Sequence, residues 1–284
     1  MTDWSLPLGE AIEALLDWLS THFAFATKAF SLVVGQGITW LEHGLLWLPP
    51  WLFILLSGAG IWRLSRRKPL RYRLRLTLLS AAGLCLIWNL ELWPATISTL
   101  ALVSVATSLA IALGVPLGIA AALSRAANRT IMPVLDVMQT MPAFVYLIPA
   151  IPFFGLGKVA AIFSTVIFSM PPAIRLTCLG IQQTPRELIE CAEAFGSTPW
   201  QKLVKLQLPL ATPTIMAGVN QTVMLALSMV VIAAMIGAKG LGGEVWKAIQ
   251  RLEMGDGFEA GICIVIVAVI LDRILQCVGH GSRA

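Results

Sequence analysis

Few side chains of this chain could do chemistry, and most of those few stand in long apolar runs. Asp136 and Gln139 lie about one helical turn apart in one such run, and Arg175 follows Pro171-Pro172 at the end of another. Charged groups in hydrocarbon need partners, so Asp136 and Arg175 either share a polar cluster or reach independently toward water. Asn220 and Gln221 interrupt a third run, where amides either bond across helices or line a hydrated path. Phe144 and Tyr146 stand among Pro142, Pro149 and Pro152. Their rings either hold a small cation by its attraction to an aromatic face or simply pack.

None of this composes an enzyme site. His22, His43 and His280 are scattered without metal-ligand spacing, and neither a GxSxG element nor a pair of catalytic carboxylates stands out. The segment Gly237-Ala238-Lys239-Gly240-Leu241-Gly242-Gly243 lacks the Gly-Lys-Ser/Thr ending of a phosphate loop; its glycines suit a tight loop or a hinge. Five cysteines make no CxxC pair and read as small hydrophobes. No nucleotide-binding motif occurs, so no cofactor is expected on this chain, and any work done with ATP must come from a partner.

Stepping outward from these residues, one polar island is conspicuous: QQTPRELIECAEAFGSTPWQKLVKLQLP, residues 182–209, set between apolar stretches. Thr184-Pro185-Arg186-Glu187 and Thr198-Pro199-Trp200-Gln201 are two copies of one helix-start signal. In each, a Thr accepts backbone N–H bonds, a Pro is preset for the first turn, and a Glu or Gln three residues on closes a capping box. Gly196 between them suits a left-handed C-cap. The expectation is a short helix, a sharp turn and a second short helix. Leu188, Ile189, Ala192 and Phe195 would face the protein, with Glu187, Glu190 and Glu193 facing out.

The supports for these residues must be membrane helices. Hydrophobic residues make up 57% of the chain and charged residues 12%, against roughly 25% charged in soluble domains. A span needs ~20 apolar residues, which predicts about seven: 45–62, 76–93, 98–123, 132–153, 159–174, 211–236 and 258–278. With the N-terminus outside, the loops 63–75, 124–131 and 175–210 and the C-terminal end hold 15 of the 20 Lys and Arg residues. The positive-inside rule thus places the island in the cytoplasm. Basic residues confined to short loops beside spans argue against nucleic acid as a partner; the surrounding partner is lipid.

Residues 1–94 read as an acidic amphipathic lead plus two peripheral spans, and 95–278 as a small-residue-rich core with the loop 182–209. Leu8, Ile12, Leu15, Leu16, Leu19 and Phe23 recur at helical spacing opposite Glu10, Glu13 and Asp17. That helix either lies in the outer interface or packs on the bundle. From Ala101 to Ala122, Ala, Gly, Ser and Thr alternate with Leu, Val and Ile, which lets helix backbones approach closely. Seven prolines from Pro116 to Pro172 point to a pathway or a moving part, since each leaves a carbonyl to be satisfied inside a bundle or cavity.

The island resembles the cytoplasmic coupling signature of ABC importer permeases: Glu-Ala-Ala, three residues, Gly, nine residues, then Ile-x-Leu-Pro. Here it reads Glu190-Cys191-Ala192, Gly196 and Leu206-Gln207-Leu208-Pro209, with Cys191 for an Ala and Leu206 for an Ile. The runs Pro133–Pro149, Pro171–Thr177, Gly218–Thr222, Leu227–Gly243 and Leu271–Arg273 are similar to the glycine betaine, proline and choline branch. The resemblance implies an all-α type I importer permease fold in a bacterial inner membrane. It also implies two permease copies, two cytoplasmic ATPase subunits carrying ATP and Mg, and a separate extracytoplasmic substrate-binding protein. Glu187, Glu190, Cys191, Ala192, Gly196, Pro199, Leu206 and Pro209 would couple to the ATPase. Asp136, Gln139, Phe144, Tyr146, Arg175, Asn220 and Gln221 are the candidate pathway or gate residues. The expected function is ATP-driven uptake of a quaternary ammonium osmolyte by alternating access. The alternatives are a permease for another small solute such as an amino acid, or an ATP-independent channel or secondary transporter.

Overall fold

A computed structural model describes residues 8–67 and 69–279; the first seven residues of the acidic lead, Lys68 and His280 lie outside the described residues. The described chain is helical throughout, with no strand. Its helices are α1 (Leu8–His22), α2 (Ala24–Trp47), α3 (Pro50–Leu64), α4 (Leu70–Asn89), α5 (Trp93–Leu123), α6 (Arg125–Thr140) and α7 (Leu147–Phe154). They continue with α8 (Lys158–Ser169), α9 (Pro171–Gln182), α10 (Arg186–Ala194), α11 (Pro199–Lys202), α12 (Leu208–Ala233), α13 (Leu241–Arg251) and α14 (Met254–Gly279).

The core is a three-helix sandwich in which α9 lies between α5 and α12. Glycines set the spacing. A Cβ at Gly118 of α5 would lie 2.6 Å from the Ile174 carbonyl oxygen, and one at Gly218 of α12 would lie 3.1 Å from that of Pro172. Small residues are what allow backbones this close, and close contact is what holds helices together in lipid. Some hydroxyls buried in the core are satisfied within their own helices, Thr107 donating to the Val103 carbonyl at 2.7 Å and Thr165 to that of Ala161 at 2.7 Å, whereas those of Thr177 and Thr222 are buried without a partner. Around the core, α3 and α4 pack on each other and present Leu55, Leu56, Leu78 and Leu79 outward.

The prolines act according to the residue before them. Leu48 and Met141 are driven into extended backbone, as steric conflict with the following ring requires. The chain bends there by 100° between α2 and α3 and by 114° between α6 and α7. The expected spans 45–62 and 132–153 are therefore each broken by a sharp corner. Before Pro171, by contrast, Met170 stays helical. Hence Lys158–Gln182 forms one apolar stretch long enough to cross a membrane, longer than the expected 159–174, and Arg175 sits well inside it. Trp93–Leu123 and Pro199–Ile236 also meet that length and hydropathy, giving three such helices among the described residues, or up to five if each bent pair is one span.

Candidate functional site: an exposed handle and polar pairs in the bundle

The polar island folds as a corner rooted in the core. Its first helix, α10, begins at Pro185 with no side-chain cap, and the Thr184 hydroxyl is buried without a partner, so the first capping box does not form. The second does: Gln201 N–H donates to Thr198 Oγ1 at 3.3 Å while the Gln201 side chain accepts from Thr198 N–H at 2.9 Å. Gly196 has φ +74°, and Ser197 N–H reaches back to the Ala192 carbonyl at 3.0 Å, closing the helix end as a left-handed C-cap should. A Cβ at Gly196 would meet nothing within 4 Å, so the position needs glycine for its backbone angle and not for space. Lys202 pairs with Glu193 across the corner.

The expected second short helix is not separate. Pro199–Lys202 leads through a wider π-helical turn over Leu203–Gln207 directly into α12. Leu203 is buried with Ile181 and Ala211, and Ile119, Ala122, Leu208 and Ile215 pack around them. The corner is thereby joined to the ends of α5 and α9 and to the start of α12. A force applied to it reaches all three core helices through packed side chains.

The faces of the handle differ from the expectation. No residue of α10 is buried. Glu187, Glu190 and Cys191 are exposed and Ala192 is half-buried. Leu188 and Phe195 turn outward with them, Phe195 being 86% exposed, and Trp200 beside the exposed Pro199 is 71% exposed. Leu206 is half-buried and Pro209, in the first turn of α12, is exposed. Ile189 and Ala192 are half-buried, whereas Leu188 and Phe195 find no inner wall to pack on. What the isolated chain shows is a rigid frame carrying uncovered aromatic residues, which is the anatomy of a docking element.

Within the bundle, Asp136 and Arg175 do come together, Arg175 Nη2 donating to Asp136 Oδ1 at 2.6 Å. Their side chains remain 66% and 40% exposed, and Gln139 is exposed one turn along. Asn220 donates to Asp272 of α14 at 2.9 Å, and Gln276 donates to the other Asp272 oxygen at 2.8 Å. Gln221 is exposed at the middle of α12. The two aromatic candidates separate. Tyr146 is buried, its hydroxyl donating to the Met138 carbonyl and its ring edge-on to Phe168 at 5.6 Å, which is a packing role. Phe144 stays exposed.

Reasoning from sequence missed two polar elements. Asp272 carries the same signal as Asp136, a carboxylate in an apolar span, inside the Leu271–Arg273 run already singled out. Glu42 gave no such signal. It pairs with Lys158 and accepts from Ser98, tying α2 to the first turns of α8 and α5, and partners that far apart in the chain leave no pattern to read.

An apolar helical bundle with a partner-seeking corner at one end is a membrane transport subunit driven from outside itself. The chain belongs to the family of binding-protein-dependent transport system inner membrane components, whose model matches residues 114–279. It is 49% identical over 280 residues to the glycine betaine/carnitine transport permease protein of Listeria monocytogenes, covering 99% of this chain and 98% of that one. To the glycine betaine transport system permease protein of Bacillus subtilis it is 47% identical, covering 95% and 94%. The glycine betaine/proline betaine transport system permease protein of Escherichia coli is 44% identical over 98% of this chain and 77% of that one. Among solved structures, a chain of the inward-facing methionine ABC transporter MetNI superposes with TM-score 0.57 and 25% identity, over 67% of this chain and 93% of that one. The chain is thus a permease subunit of an ABC importer, resident in the inner membrane, and not an enzyme. Its family works with a separate ATPase and a substrate-binding protein.

Proposed function

We propose that this chain, as a pair of identical copies, forms the membrane pathway of an ATP-driven importer for a quaternary ammonium osmolyte of the glycine betaine, proline betaine or choline type. Two cytoplasmic ATPase subunits, which carry ATP and Mg, grip the corner of residues 182–209, and an extracytoplasmic binding protein delivers the solute. The observation that carries the coupling is the exposure of Leu188, Phe195 and Trp200 on a corner whose root, Leu203, is locked into the core. Closure of the ATPases displaces the corner, tilts α5, α9 and α12, and opens the pathway outward; hydrolysis lets it relax inward. The substrate class is supported by the names of the relatives that span the whole chain.

Gln221 marks where a pathway or second copy lies. An amide at mid-span facing hydrocarbon leaves its donors and acceptor unsatisfied, at a cost of several kcal/mol. With Gln221 exposed on α12 and Ser228 exposed two turns on, this face belongs against water or another protomer. The reading is tested in proteoliposomes holding the permease and its ATPase, with binding protein outside. Labelled glycine betaine should accumulate only when ATP is enclosed and binding protein is added. Uptake that persists without ATP would overturn the coupling, and uptake of amino acids in place of betaine would overturn the substrate class.

A further inference from the structure

At the end of the bundle opposite the handle lies a cavity of about 460 Å³ that the coupling mechanism does not use. That volume falls in the ~300–1,000 Å³ range of small-molecule sites. It lies between the first turns of α5, the glycine-rich loop 237–240 and the start of α13, and Ser98, Lys239, Glu244, Trp246 and Lys247 contribute to its lining.

Its walls are fixed. Thr99 Oγ1 accepts the Leu241 N–H at 2.9 Å, and a Cβ at Gly240, whose φ is +125°, would lie 2.6 Å from the same oxygen. Ser98 is held by Glu42, which is itself paired with Lys158. The polar groups inside are unevenly engaged. Lys247 is taken by Glu244 at 2.9 Å. Lys239 is exposed, with no ion pair or hydrogen bond among the described residues. Trp246 is half-buried and stacks on no other ring.

The two unengaged side chains, Lys239 and Trp246, select a ligand by elimination. A simple anion would engage Lys239 alone and leave the Trp246 ring unused. A metal cation would find one carboxylate and none of the oxygen cage it requires. A zwitterion bearing both a quaternary ammonium and a carboxylate uses both unengaged groups: methylated ammonium against the Trp246 ring, carboxylate toward the free Lys239 ammonium. We propose that this cavity is a reception site for zwitterionic quaternary amines on the permease itself, distinct from the binding protein. The inference rests on the substrate class proposed above and adds where on this chain that solute is first held.

The test uses the permease–ATPase complex in nanodiscs, without binding protein, and saturation-transfer NMR with glycine betaine as probe. Saturation should reach the N-methyl protons in wild type and in Trp246→Phe, and vanish in Trp246→Ala. Lys239→Gln, at an exposed position, should weaken glycine betaine roughly tenfold, the scale of one charge-assisted contact, while leaving choline, which lacks a carboxylate, within about twofold. No transfer in wild type, equal transfer in Trp246→Ala, or equal weakening of both ligands by Lys239→Gln would overturn the site. Binding-protein-dependent uptake of betaine by the same wild-type complex separates the two readings. Uptake without saturation transfer removes the cavity alone; loss of uptake removes the substrate class beneath it.

Discussion

The two ends of the bundle satisfy their exposed groups in opposite ways. At the handle, backbone and polar groups are closed locally by the Thr198–Gln201 box, the Gly196 turn and the Lys202–Glu193 pair, while Leu188, Phe195 and Trp200 are left uncovered. At the other end, the ties run between distant helices: Glu42 to Lys158 and Ser98, and Thr99 to the Leu241 N–H. One end is a stiff piece with a free apolar surface, built to be gripped. The other is a frame that fixes α2, α5, α8 and α13 to one another around a cavity. In the proposed mechanism force enters at the first end, and the second holds the helices in register.

The sharpest way to break this comparison is to place equal bulk at two glycines. Gly118→Val puts side-chain atoms against the backbone carbonyl of Ile174, beyond the ~1–3 kcal/mol usual for overpacking. It should abolish recovery of folded permease from membranes, as read by size-exclusion profile. Gly196→Val has open space and strains only the backbone, by roughly 1–2 kcal/mol, so the permease should still be recovered folded while its ATPase is held more weakly. Equal loss at both positions would mean that the handle is part of the folding core.

Next in size are the aromatic residues. Trp200→Ala and Phe195→Ala should each weaken ATPase capture by on the order of 30-fold, the ~2 kcal/mol typical of buried interface anchors, with the melting temperature of the permease alone unchanged. Undiminished capture in both would show that the uncovered surface is not the one gripped.

The smallest effects distinguish the ion pairs. Lys158→Met strands the largely buried Glu42 and should lower permease stability by roughly 1–3 kcal/mol, with recovery when Glu42→Gln is added. Asp136→Asn removes half of a pair whose side chains are 66% and 40% exposed in the single chain, and should cost less than about 1 kcal/mol. Thermal unfolding in detergent reads both, and the reverse ranking would mean that the exposed Asp136–Arg175 pair is the structural one.

Much of the site was legible before any coordinates. The island, its Gly196 turn and its second capping box follow from local backbone chemistry, which sequence encodes within a few residues. For Asp136 and Arg175 the cost of a lone charge in an apolar run left two outcomes open, a shared pair or independent reach toward water, and the structure shows the pair. Local rules failed where a neighbour decided the outcome. Thr184 lost its capping role because its hydroxyl is buried under the core end, and Phe195 faces outward because nothing lies inside the corner to receive it. The same dipeptide logic gave two answers at proline: Leu48-Pro49 and Met141-Pro142 became corners, whereas Met170-Pro171 continued a helix packed on both sides by α5 and α12.

By itself the sequence determined that this is a helical membrane subunit with a partner-seeking corner, because hydrophobic length, charge placement and capping are additive properties of short windows. Only the tertiary structure decided which helices touch and where the corner is rooted. It also decided that Glu42, Ser98, Thr99 and Lys158 frame a cavity with Trp246 and an unpaired Lys239. Those contacts join residues more than fifty positions apart; small residues announce that backbones will approach closely, but not which helices will meet.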